Sequence, residues 1–174
     1  GCGRGCKFCA PATAGRLRSL PLETIEEDIK VNLEKGQSSI VFQSEDYLRY
    51  GVNGVIPDKD AALTLFKTAF ELGAKGVSGT HTSLASTLAG KELVIELVKM
   101  WRSKGVKLYG SQPGIETGSP RLIRKYMRGK ALPYTPEEWP EVVEEAIKFL
   151  DSLKWLCCAT LIVGLPGEER EDVQ

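Results

Sequence analysis

The chain lacks an excess of either charge: 23 Lys and Arg balance 23 Asp and Glu. It raises no global basic field, so its composition gives no support for bulk electrostatic binding of nucleic acid. A balance of totals still permits a local basic patch. No apolar run approaches the roughly 20 residues of a membrane span. The opening GCGRGCKFC has none of the basic-then-apolar character of a signal peptide. A cytoplasmic location follows by default. Repeats, low-complexity tracts and long linkers are also missing. Five cysteines do not make a secreted disulfide framework, and three of them crowd into the opening segment. Such clustering points to metal or redox chemistry in a reducing compartment. With one histidine, His81, far along the chain, nothing obvious completes a four-ligand zinc site.

What is present is enough for one domain with a substantial core, expected to span 1–174. Leu22, Ile25, Ile29 and Leu33 fall at helical spacing between Pro21 and Gly36. Ser39–Gln43 reads as a strand, Asp60–Leu72 as a helix ended by Gly73, and Lys75–Gly79 as a weaker strand. Lys91–Ser103 is a further helix, with Leu93, Val94, Leu97, Val98 and Trp101 on one side. Val106–Gly110 follows as a strand, and Ser119-Pro120 opens a short helix closed by Gly129. Thr135-Pro136-Glu137-Glu138 carries a capping box with Pro at the first helical position, so a long helix is expected to start there. The nearly all-apolar Leu156–Val163 predicts a strand covered on both faces. Alternation of this kind argues for an α/β fold with a parallel sheet and right-handed crossovers. Periodicity alone leaves an open doubly wound sheet and part of a β/α barrel equally available. In either, function gathers at the carboxyl ends of the strands.

Cys2-x-x-x-Cys6-x-x-Cys9 carries the strongest chemical signal. Thiolates are the preferred ligands of iron–sulfur clusters, and a cubane normally takes four. Three on one short loop leave an iron open to a small molecule. Gly1, Gly3 and Gly5 let the backbone wrap closely, and Arg4 and Lys7 place positive charge beside an anionic cluster. Spacing alone leaves a structural zinc site or an electron carrier open.

The motif, with Phe8 before the third cysteine, resembles that of the radical S-adenosylmethionine (SAM) superfamily. Gln43-Ser44-Glu45-Asp46 stands where that family has Gly-Gly-Glu-Pro. Gly114-Ile115-Glu116-Thr117-Gly118-Ser119 is similar to its ribose segment, and Ile162–Glu168 to its late strand motif beside the adenine. GIETGSPRLIRKYMRGK and LIVGLPGEE resemble cobalamin-associated members and methylthiotransferases, with GCGRGCKFCAP nearer the former. The resemblance implies a partial (β/α) TIM-like barrel truncated at both ends, with a first strand before Gly1 and a last one after Gln174. It implies a [4Fe–4S] cluster on Cys2, Cys6 and Cys9, reductive cleavage of SAM to a 5′-deoxyadenosyl radical, and a flavodoxin or ferredoxin as electron donor. Methyl or methylthio transfer would follow, with cobalamin supplied, if at all, by a domain before Gly1. Phe8 would contact the adenine side, and Glu45 with Gln43 and Ser44 the methionyl amino group. Glu116, helped by Thr117 or Ser119, would take the ribose hydroxyls. Arg121 or Lys125 would meet the carboxylate, and Gly164 would allow close approach of the adenine.

Other residues read more plainly. Cys157 and Cys158 are expected as packing in an apolar strand. Trp101, Trp139 and Trp155 read as packing too. His81 is open between an acid–base role and a hydrogen-bonded structural one. Arg16 and Arg18 read as a solvated loop pair. Glu26, Glu27 and Asp28 read as a solvated helix face, as do Glu141, Glu144, Glu145 and Lys148.

Overall fold

Apolar residues at helical spacing and β-rich tetrapeptides alternate along the chain, and the structure follows that alternation. The computed structural model describes residues 2–13 and 17–173. Gly1, Arg16 and Gln174, singled out in the sequence, lie outside the described residues. After the cysteine loop come a short helix α1 (Ala10–Thr13), helix α2 (Leu22–Glu34), strand β1 (Ser39–Phe42) and a 3-10 turn at Tyr47–Arg49. Helix α3 (Lys59–Glu71) starts at Asp58, whose carboxylate accepts from the Ala61 amide at 3.0 Å. It leads to strand β2 (Gly76–Gly79), helix α4 (Leu84–Ala89) and helix α5 (Lys91–Ser103). Strands β3 (Gly110–Ser111) and β4 (Gly114–Glu116), helices α6 (Pro120–Tyr126) and α7 (Trp139–Ser152), strands β5 (Leu156–Cys157) and β6 (Thr160–Leu161), and helix α8 (Arg170–Val173) complete the order.

All strand pairing among the described residues is parallel. β1 runs beside β2 in register from Ser39 with Gly76 to Phe42 with Gly79. β3 pairs with β5 and β4 with β6. A bond from the Gln112 amide to the Thr80 carbonyl, 2.9 Å, carries the line of strands from β2 toward β3. The fold is therefore α/β with small parallel sheets, and no closed barrel is formed by the described residues. Among these residues no helix is long and apolar enough to cross a membrane.

The centre is aromatic. Phe66 of α3 meets the rings of Phe42, Tyr47 and Trp101 edge-on, with centroids 5.2, 5.4 and 5.6 Å away. Trp101 in turn stacks on Tyr109 and tilts against Trp155. Each such pair adds about 0.5–1.5 kcal/mol beyond the area it buries. The three tryptophans are all buried, as packing requires, and so is the expected apolar side of α5.

Three expectations need correction, and one helix was not foreseen. The strand expected at Val106–Gly110 begins only at Gly110, because Tyr109 turns inward onto Trp101 and pairing needs a bare glycine. A Cβ at Gly110 would lie 2.3 Å from the Leu156 carbonyl oxygen. Pro113, which has no amide hydrogen, then divides β3 from β4. Leu156–Val163 forms two short strands, and Leu156, Leu161 and Val163 are exposed where both faces were expected to be covered. The pairing partner flanks one edge only, and α7 packs against β5. The capping box at Thr135 closes a turn ahead of the helix: Glu138 accepts from the Thr135 amide and hydroxyl at 2.8 and 2.7 Å, and α7 starts at Trp139. Helix α4, unforeseen, is buried from Leu84 to Leu88 and so shows no apolar–polar period to read.

Gly79 ends β2 against the buried Tyr47 ring, where an added Cβ would stand 2.2 Å from Cδ1. Gly79→Ala should therefore cost at least about 1–3 kcal/mol, the range for overpacking a tight core. The urea midpoint would fall accordingly, and an unchanged midpoint would show that Tyr47 can yield.

Candidate active site

Cys2, Cys6 and Cys9 sit on a loop whose path depends on Gly3 and Gly5, both left-handed at φ 67° and 70°. The Cys9 amide returns to the Cys6 carbonyl at 3.2 Å, and the Lys7 amide reaches the Tyr126 carbonyl at 2.9 Å. The loop also rests on Gly129, where a Cβ would come within 2.2 Å of the Arg4 carbonyl oxygen.

Arg4 points from this loop into the protein and is buried. Its guanidinium donates to the carbonyls of Gly129 and Leu132 and, at 2.7 Å, to Ser86 Oγ. Ser86 donates to Asp46 Oδ2 at 2.7 Å, and Arg4 Nη2 lies 3.6 Å from the same oxygen. Arg49, also buried, donates to the Gly54 carbonyl and, at 2.9 Å, to the carbonyl of Cys2. Burial pushes the Asp46 carboxyl up, while Ser86 and the two arginines pull it down. Leaving either charge of such a buried pair alone costs about 3–5 kcal/mol.

The three cysteines line one cavity of about 270 Å³. Its other walls come from segments at or beyond the carboxyl ends of strands: Glu45 after β1, His81 and Thr82 after β2, Gln112 after β3 and Glu116 closing β4. Lys130 completes the wall, with Nζ 3.4 Å from Glu116 Oε1, both side chains mostly buried. Lys130 also stands over the Trp139 ring, 5.8 Å from its centroid. Glu116 holds φ 67°, unusual for a residue with a side chain, and such strain gathers at functional sites. Its carboxylate folds back over Gly114, where a Cβ would lie 2.0 Å from Oε1. Burial pushes the Cys6 thiol up and Lys130 draws it down. A larger cavity of about 490 Å³ lies between α2 and β1, lined by Gln43, Ser44, Glu45 and Arg18 among others. It holds none of the cysteines, all three of which line the smaller one.

The remaining site residues named from sequence divide between the two cavities and the surface. Phe8 lines the cysteine cavity at half exposure. Gln43 and Ser44 line the larger cavity. The Ser44 carbonyl accepts from Thr80 Oγ1 at 3.1 Å and lies 3.2 Å from His81 Nδ1. Thr117 is buried outside the cysteine cavity, with its carbonyl on Trp139 Nε1 at 2.8 Å. Ser119 caps α6 and donates to Asp172 at 2.5 Å. Arg121 turns to Asp172 and the Gly167 carbonyl, Lys125 to the Pro166 carbonyl, so both tie the segment 164–173 to α6. Gly164, exposed at φ 90°, gives its amide to Glu168. Cys157 is partly buried against the core, but Cys158 is exposed, contrary to the packing expected of both. The odd–even alternation of a strand sends neighbours to opposite faces, and here only one face is covered.

All five cysteines are free thiols. Three free thiols line one cavity, the kind of donor set that iron–sulfur clusters take. A profile of the Radical SAM superfamily matches residues 1–174. The chain belongs to the radical SAM superfamily. Members use a [4Fe–4S] cluster and SAM. Among its relatives, a threonylcarbamoyladenosine tRNA methylthiotransferase, MtaB, of Aquifex aeolicus is 29% identical over 177 residues, covering 100% of this chain and 39% of the relative. A tRNA-2-methylthio-N(6)-dimethylallyladenosine synthase of Fusobacterium nucleatum is 29% identical over 99% of this chain and 37% of its own length. A ribosomal protein uS12 methylthiotransferase, RimO, of Thermotoga maritima is 26% identical over 100% and 38%. The chain thus spans about two fifths of the length of these relatives.

Arg121 and Ser119 hold the Asp172 carboxyl down at about 2, against about 3.9 for an unperturbed Asp. A depressed carboxyl stabilises the fold fully above its unfolded value and loses that contribution as pH falls through the folded one. Asp172→Asn should lower the urea midpoint at pH 7, with the gap to the parent closing as pH drops from about 4 toward 2. A gap constant over that range would show that the ion pair does not hold α8.

Proposed function

We propose that this chain is the catalytic core of a radical SAM enzyme of the methylthiotransferase type, built as a partial β/α barrel. The observation that carries this reading is the meeting of Cys2, Cys6 and Cys9 with Glu45, Glu116 and Lys130 around one cavity at the carboxyl ends of parallel strands. When bound, the cluster and SAM supply one electron and a 5′-deoxyadenosyl radical. The chain's own residues hold and orient. Cys2, Cys6 and Cys9 would hold the cluster, beside the space left for the methionyl end of SAM. Glu45 at the cavity wall accepts from the amino group. Glu116, set in its strained conformation and steadied by Lys130, accepts from the ribose hydroxyls. Phe8 covers the adenine side; Gly164, outside the cavity lining, is given no role there.

Lys130 replaces Arg121 and Lys125 as the cation for the carboxylate, since it alone of the three lines the cavity. Ser44, Thr117 and Ser119 accept from neighbouring backbone amides, and Gln43 lines the larger cavity. Methylthio transfer is preferred to cobalamin-assisted methyl transfer because the three relatives described above are methylthiotransferases. The electron comes from a reduced flavodoxin or ferredoxin, in the cytoplasm.

The test uses the full-length protein reconstituted anaerobically with iron and sulfide, reduced with dithionite and given SAM. The 5′-deoxyadenosine formed is measured by mass spectrometry. The parent should form it, and Cys6→Ala should lose cluster absorbance and product together. A parent that carries iron and forms none would overturn the enzymatic reading.

Glu116→Ala should keep its iron but bind SAM about tenfold or more weakly, the loss of a charge-assisted hydrogen bond. Unchanged SAM affinity in calorimetry would remove Glu116 from the ribose site.

A further inference from the structure

The residues beneath the cysteine loop carry more charge than holding a loop requires. Arg4 and Arg49 are both almost fully buried, and Asp46 is the acid set between Arg4 and the protein interior. Two cations and one anion leave a net positive charge sealed under the loop. Its reach to the cysteines is short: Arg49 Nη1 binds the carbonyl of Cys2 at 2.9 Å, and Arg4 follows Cys2 by two residues. Arg4 and Asp46 also line the cavity shared by the three thiols. The network is densely bonded at one end and incomplete at the other. Arg4 uses both terminal nitrogens on four acceptors, while its Nε has no hydrogen-bond partner among the described residues. Buried unsatisfied atoms in a native fold call for an explanation beyond packing.

We propose that Arg4 and Arg49, partly neutralised by Asp46, form a buried cationic seat that raises the reduction potential of the cluster held above it. This rests on the cluster assignment to Cys2, Cys6 and Cys9. Cluster potentials follow net charge, hydrogen bonding and exposure, and charges in a low-dielectric interior act over longer distances than in water. Reduction moves one electron from a low-potential donor onto the cluster; no bond is formed or broken in that step. A fixed positive charge beneath the loop favours the reduced state, and Asp46 trims that effect. The same fork of hydrogen bonds from Arg4 fixes the loop before iron arrives. Arg4, Arg49 and Asp46 are thus positioning residues that act through the loop and its field.

The test is a dithionite titration of the full-length, reconstituted protein, with the midpoint read by EPR and iron counted per chain. Asp46→Asn, which removes the buried anion at constant shape, should move the midpoint up. Arg4→Gln should move it down. Arg4→Lys, which keeps the charge and loses the fork, should hold the parent midpoint while taking up less iron. The opposite shifts are the readout that a purely structural clamp would not give. Equal midpoints in Asp46→Asn and the parent, or shifts of the same sign in Asp46→Asn and Arg4→Gln, overturn the proposal. If Asp46→Asn fails to fold, the pair Arg4→Gln and Arg4→Lys decides it, since equal midpoints in those two would reject a role for the charge. A Cys6→Ala variant with parental iron and EPR signal would instead overturn the cluster assignment, leaving the two failures distinct.

Discussion

Everything at the site depends on one side chain crossing from a surface loop into the interior. Arg4 links the cysteine loop to the α6–α7 connection through Gly129 and Leu132, to α4 through Ser86, and to the segment after β1 through Asp46. A loop this rich in glycine loses much entropy on ordering. Packing against the bare Gly129 backbone and these charge-assisted bonds offset that loss. Asp46 and its neighbour Glu45 both reach the cavity wall, but Asp46 is buried against Arg4. Two adjacent acids therefore serve different ends, one fixing the loop and one facing the ligand space.

The cavity is positioned by the same logic that places sites in other parallel α/β folds. β1, β2, β3 and β4 end toward the cavity, and the chain must leave each strand there, which frees side chains from pairing. Glu116 shows what this demands. Its amide plane is fixed by the Ile162 bond to its carbonyl at 2.8 Å, its carboxylate by Lys130, and its left-handed backbone by the lack of a side chain at Gly114. Such a conformation persists only where surroundings over-determine it.

Local pattern was enough to read much of this from sequence. α2, α3 and α5 were legible because each has one apolar face, and the cysteine triplet because ligand spacing lies within a few residues. α4 was not legible, being buried all round. The strand expected at Val106–Gly110 is displaced to β3, because pairing depends on the tight contact of Gly110 with Leu156, and β4, too short to show a period, is not foreseen. Arg49 and Lys130 carry no local signal. Each earns its place only when a distant segment is folded against it, Cys2 in one case and Glu116 in the other. Arg121 and Ser119 misled for the converse reason: the residue that claims them, Asp172, lies far along the chain.

The charge around the cavity completes the argument. Its facing acids, Glu45 and Glu116, would repel an anionic cluster if they acted alone. Lys130 offsets Glu116 within the cavity, and Arg4 and Arg49 lie on the loop's inner side, where burial protects their charge from screening. The positive groups that matter are thus placed where salt and water reach least, while Lys7, Lys125 and Arg128 stay exposed at the surface. A chain of zero net charge can in this way present an anionic cofactor with a local positive field, because position and burial, more than totals, decide what a bound group experiences.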